Sequence, residues 1–189
     1  KLKKRLYNLG FTRRGLADLQ DLYTRSRNPY LKRLAAWELA LWHANQYKSE
    51  DARQCLMLFP TVVEGEKNQT LLRRSAVIKA ECLEVIGEID SAKRVISDAL
   101  ASESHVDLIL AAANLQSSLS ERVKWINKAL QLGGVSKIDL ALSNERSPYD
   151  CLVSEYNKKE ILSESDNTPK VSVIIPVYNA EAVIQTSLD

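Results

Sequence analysis

Between Leu2 and about residue 132, apolar side chains recur every three or four positions, and almost nothing alternates with the period of two that a half-buried strand requires. That period commits most of the chain to amphipathic helices. Leu16, Leu19, Leu22 and Tyr23 share one face of an early helix, and Asn28-Pro29 closes it while placing Pro29 in the first turn of the next. The following segment, PYLKRLAAWELALWHANQ, aligns Leu34, Trp37, Leu41 and Ala44, with Ala40 and His43 at the flanks. Ser49 stands where it can cap a third helix, and Glu50 and Asp51 suit its positive end. Further helices are predicted at about 69–86, 90–101, 105–116 and 120–132, with Asn68 as an N-cap, Gly87 ending the first and Gly133-Gly134 ending the last.

Aligned on themselves, these helices reveal a repeat. Ala80, Leu83, Gly87, Ala92, Ile96 and Ala99 follow one another at spacings that suit two antiparallel helices, with small residues where the backbones approach. The same register runs through Ala40, His43, Tyr47, Ala52, Leu56 and Phe59, and again through Leu110, Ala113, Ser117, Arg122, Ile126 and Ala129. The pattern resembles the tetratricopeptide repeat, best in AECLEVIGEIDSAKRVISDAL. It is irregular: the units are offset by 40 and then 30 residues, and Arg122 stands at a usual alanine. The resemblance implies a TPR-like array of antiparallel helical hairpins over residues 1–134, in which stacked neighbours supply the core that no single hairpin can form. It also implies a surface that holds a peptide or a protein domain, or else a brace for a neighbouring domain. Trp37, Trp42 and Trp125 at helical spacing read as core. His43 and His105 are isolated from any nucleophile or metal partner at a telling spacing, and residues 1–134 carry no catalytic pattern.

Composition narrows the classes further. With 45% hydrophobic and 26% charged residues the chain has the balance of a globular protein, and no apolar run reaches the length of a membrane span. Cys55, Cys82 and Cys151 lack metal-site spacing and read as small hydrophobes in a reducing compartment, so a cytoplasmic location is expected. Charge is unevenly distributed: residues 1–33 hold ten Lys and Arg against Asp18 and Asp21, a balance of +8 that leaves −6 for the remainder. Lys3, Lys4, Arg13 and Arg14 are therefore candidates for contact with an anionic surface, including the inner face of a membrane. The alternative is a solvated helix face, because leucines interleave with the charges. Nucleic acid is disfavoured as a partner, since no recognition motif accompanies the basic end.

Residues 135–170 lose the helical pattern and read as an irregular connector, ending in the polar stretch before Thr168-Pro169. Then the chain changes character. VSVIIPVYNAEAVIQTSLD, residues 171–189, opens with a β-branched run suited to a central parallel strand, interrupted by Pro176 where a ladder must end. Asn179 can cap a helix carrying Ala182, Val183, Ile184 and Leu188, which makes a strand, a short turn and a helix. This stretch resembles the amino-terminal signature of the family-two, GT-A-fold glycosyltransferases: hydrophobic strand, Pro-Val-Tyr-Asn, a carboxylate two residues on, and a helix ending in Ser-Leu-Asp. The resemblance implies the first strand and helix of an α/β, Rossmann-like catalytic domain that binds a nucleotide-sugar. By that likeness Pro176 and Val177 shape the base pocket, Tyr178 lies against the base, Asn179 belongs to the same edge, and Glu181 reaches the base or ribose.

The family's Asp-x-Asp, which holds a divalent Mg or Mn ion, and its general base lie beyond the matched segment, so neither is supplied by these 189 residues. The expectation is thus a helical accessory region joined to the opening of an inverting, nucleotide-sugar-dependent glycosyltransferase, acting on a glycan or lipid-linked acceptor and inactive as this fragment alone. Its partners would be another protein or its own catalytic domain. The competing expectation is a freestanding helical interaction module with no catalytic role.

Overall fold

The computed structural model describes Leu6, residues 10–140 and residues 152–154. Among residues 10–140 seven helices follow one another: α1 Thr12–Arg25, α2 Pro29–Ala44, α3 Ser49–Val63, α4 Gln69–Val85, α5 Ile89–Ser102, α6 Val106–Asn114 and α7 Leu119–Leu132. The chain is mainly helical, as its apolar period requires, and the ends of α4 to α7 fall close to the expected positions. No helix among the described residues is long and apolar enough to cross a membrane.

Local chemistry sets the boundaries. The Asn28 side chain accepts hydrogen bonds from the N–H groups of Tyr30 and Leu31, and Pro29 occupies the first turn of α2, where a missing N–H costs nothing. Asn68 accepts from the N–H of Leu71 and starts α4 in the same way. Ser49 departs from expectation. Lys48 holds the capping position without a side-chain bond, and the Ser49 hydroxyl lies 3.5 Å from the Val85 carbonyl at the far end of α4. Its hydroxyl serves a tertiary contact because the capping position falls one residue earlier.

Helix α3 also runs through Pro60 to Val63. Proline there forfeits one backbone bond, but Phe59 and Val62 on either side are almost fully buried, and their packing carries the helix past it. The end of α4 shows the opposite economy. Gly87 adopts φ +83°, its N–H donates to Glu84 and the N–H of Glu88 donates to Leu83, which together satisfy the last carbonyls of the helix. Gly134, at φ +69°, repeats this geometry after α7 with bonds from Gly134 to Gln131 and from Val135 to Leu130.

Each helix from α1 to α5 packs on the next, and in addition α2 touches α4 and α4 touches α6. Two apolar clusters result. One gathers buried side chains from α1 to α4, including Leu19, Trp37, Cys55, Phe59 and Val62. The other gathers Ala80, Leu83, Ala92, Ile96, Leu108 and Ala112 from α4, α5 and α6, with Trp125 of α7 packed against it. Leu56 and Ile86 lie against both. The repeat register maps onto this core: Ala40, Ala52, Phe59, Ala80, Leu83, Ala92, Ile96, Ala113 and Ala129 are all buried. Other positions of the register are exposed, Tyr47, Gly87, Leu110, Ser117 and Arg122 among them, and Arg122 donates to the Gln116 carbonyl at 3.1 Å. Cys55 and Cys82 are buried, as expected, while Cys151 lies outside the described residues.

The chain divides into two compact units, residues 1–129 and residues 130–189. In the second, β1 Ile138–Leu140 pairs antiparallel with β2 Leu152–Ser154, Asp139 facing Val153. The stretch expected to be an irregular connector therefore contains a short ladder. The strand and helix expected at residues 171–189 lie outside the described residues.

Candidate interaction groove

Because α2, α4 and α6 lie in turn against one another, their outer edges share a face of the first unit. Two cavities open on it. One, about 510 Å³, lies between α2 and α4 with Leu41 and Ile78 in its wall; the other, about 190 Å³, lies between α4 and α6 with Leu110 and Leu115 in its wall. They meet at Val77 and Glu81, which line both.

The face carries a mixed apolar and acidic chemistry. Glu38 and Glu81 line the first cavity, and Glu81, Glu84 and Asp107 line the second. Arg74 is the basic residue among them, and its guanidinium sits 5.4 Å from the centre of the Trp37 ring, where the ring's negative face holds it. Asp107 lies 3.4 Å from the Arg73 Nε, and Arg73 also donates to both Glu103 oxygens at 2.9 and 3.1 Å. Those contacts tie α4 to the junction between α5 and α6. Glu81 and Glu84 make no ion pair with a cation among the described residues. Burial in the groove, and then the neighbouring Glu84 charge, hold the Glu81 carboxyl above the usual carboxylate range.

Tyr47 stands at the mouth of the larger cavity. It is 76% exposed and adopts φ +53°, the left-handed region that side chains other than glycine enter at a cost. Its counterpart in the repeat register is Gly87. The sequence carried this signal as an aromatic residue in a glycine slot, although its conformation emerges only from the fold. Glu81 and Glu84 were legible as like charges three residues apart; that they face α2 and α6 was not.

The remaining polar features are structural. His43 Nδ1 lies 2.7 Å from Asp51 Oδ1, joining α2 to the first turn of α3 across a separation that the sequence does not advertise. His105 caps α6 by accepting from the Asp107 N–H. Arg13 and Arg14 are exposed on α1, whose opposite side buries Leu19, so the basic residues do occupy a solvent face. Lys3 and Lys4 lie outside the described residues, as do Pro176, Val177, Tyr178, Asn179 and Glu181. Among the described residues no three His, Cys, Asp or Glu side chains converge to hold a metal ion. Comparison with protein-family models, curated proteins and solved structures finds no match to this chain.

Proposed function

We propose that residues 1–134 form a TPR-like scaffold that engages a protein partner on behalf of a glycosyltransferase, whose nucleotide-sugar pocket begins at Pro176, Val177, Tyr178, Asn179 and Glu181. The observation that carries the transferase part is the density of matching residues in VSVIIPVYNAE. A uracil-type base needs a flat wall, which Tyr178 supplies, and a ribose hydroxyl favours a carboxylate acceptor such as Glu181. The scaffold part is supported by the α2–α4 and α4–α6 contacts, the pattern produced when the first helices of successive hairpins stack. In this reading the transfer is inverting, uses a glycan or lipid-linked acceptor, and takes place in the cytoplasm or at the inner face of a membrane.

The experiment that tests the transferase reading is the coding sequence after Asp189, followed by activity of the longer product. The expected continuation is about 200 residues, the size of a catalytic domain, including an Asp-x-Asp. Nucleotide-sugar turnover is expected from that product and absent from the 189-residue chain. A stop codon directly after Asp189, or turnover by the 189 residues alone, refutes it.

The groove favours a second reading, a freestanding interaction module, because its walls come from α2, α4, α6 and the residues that directly follow α2 and α6. Membrane attachment through the basic end is tested by liposome flotation. Charge reversal at Lys3, Lys4, Arg13 and Arg14 is expected to abolish flotation on anionic vesicles, and unchanged flotation removes that role.

A further inference from the structure

We infer that the groove across α2, α4 and α6 takes a polypeptide segment in which lysine or arginine flanks a large apolar side chain. This specifies the partner's chemistry and rests on the scaffold reading above. The argument begins with Glu81 and Glu84. They sit one turn apart on α4, an arrangement that repels and weakens a helix in isolation. The fold does not relieve it: no cation among the described residues pairs with either. Nearby charges are already engaged, Arg74 by the Trp37 ring and Asp107 by Arg73. Two carboxylates are thus left in the groove, Glu84 in the wall of the smaller cavity and Glu81, partly desolvated, where both cavities meet.

The apolar component has equal support. Leu110 is 40% exposed in the wall of one cavity, and the exposed Tyr47 ring stands at the mouth of the other. A cavity of about 510 Å³ lies within the size range of sites that receive one or two large side chains. An apolar side chain seated there brings the flanking backbone over Glu81 and Glu84. Lysine or arginine at those flanks restores the missing cations, whereas an acidic segment adds a third and fourth like charge. The same electrostatics makes recognition sensitive to salt, because the carboxylates are at the groove edge and not sealed from solvent.

The test is a random-peptide display selection on the full 189-residue chain, followed by fluorescence titration of the enriched peptides. Enrichment of Lys/Arg around Phe, Leu, Tyr or Trp is expected, with affinity falling as salt rises. The double variant E81Q/E84Q is expected to lose about tenfold or more in affinity, and E81K/E84K to lose binding altogether. E81Q/E84Q removes the like-charge repulsion at exposed positions, so its helical content and melting temperature are expected to match or exceed those of the parent, while E81K/E84K keeps a like-charge pair of opposite sign and is expected to match the parent. That separates lost binding from lost fold. Peptides without a basic bias, or basic peptides that bind the double variant unchanged, overturn the inference and leave the scaffold reading standing. A selection that enriches no peptide overturns both.

Discussion

Replacing Tyr47 by glycine is expected to stabilise the protein. The perturbation removes a side chain that is 76% exposed, so little buried surface is lost with it. What changes is the backbone: at φ +53° an L-residue stands about 1–2 kcal/mol above its right-handed conformation, a cost that glycine does not bear. Against this, glycine gives the unfolded chain more freedom, a penalty of about 0.4–1 kcal/mol. The difference favours Tyr47→Gly by about 0.5–1 kcal/mol, which at this chain length raises the melting temperature by roughly 1–4 °C. Gly87→Ala supplies the mirror experiment. Its φ is +83°, and a Cβ built there meets nothing within 4 Å, so the substitution adds backbone strain without a clash. It is expected to cost about 0.5–1 kcal/mol by the same two terms with signs reversed. Thermal and urea unfolding followed by circular dichroism measure both. A lower melting temperature for Tyr47→Gly refutes the reasoning, since it means the ring's contacts in the groove outweigh the strain.

Other perturbations probe the core and the charges. Arg73→Ala removes a side chain only 13% exposed that bridges Glu103 and Asp107, and should cost about 2 kcal/mol in urea unfolding, with Arg73→Met costing less because it keeps the apolar stem. Ile96 is 1% exposed at the centre of the second cluster; Ile96→Ala should cost about 2–5 kcal/mol and Ile96→Val about 0.5–1.5 kcal/mol, and equal effects would mean the site collapses around any smaller residue. Two carboxylates should slope oppositely with pH. The folded state holds the Glu81 proton more tightly than the unfolded chain, so this group's contribution falls as pH rises through its raised pKa, and Glu81→Gln should flatten that slope. Glu66 accepts from the N–H groups of Asn68 and Lys67, which lower its pKa; its contribution is present above the unfolded pKa and is lost as pH falls through the folded one, an acid-side loss that Glu66→Ala should remove.

The helices were legible because their signals are local. Gly87 ends α4 through an adjacent pair of backbone bonds, and Asn28 and Asn68 start their helices through side chains two or three residues from the groups they satisfy. The small residues of the repeat register were legible too, because close helix packing selects for size at fixed spacing. Pro60 misleads in isolation: the burial of Phe59 and Val62 that carries α3 past it depends on neighbours distant in sequence. The Arg73 bridge joins residues 30 or more positions apart, and His43 meets Asp51 only after α2 and α3 have folded back. The groove carried no signal of its own in the sequence, where Val77, Glu81 and Glu84 read only as residues of a helix. Its assembly depends on which helices adjoin, and α2–α4–α6 adjacency is a property of stacking that no single helix encodes.

Leu56 and Ile86 are half-buried side chains that touch both apolar clusters, and they mark the seam between them. Helix α4 contributes buried side chains to both clusters, so it and the seam at Leu56 and Ile86 carry load between the part around Ile96 and Trp125 and the part around Trp37 and Phe59. Strengthening that seam should couple the two clusters so that they unfold together; weakening it should let them unfold separately.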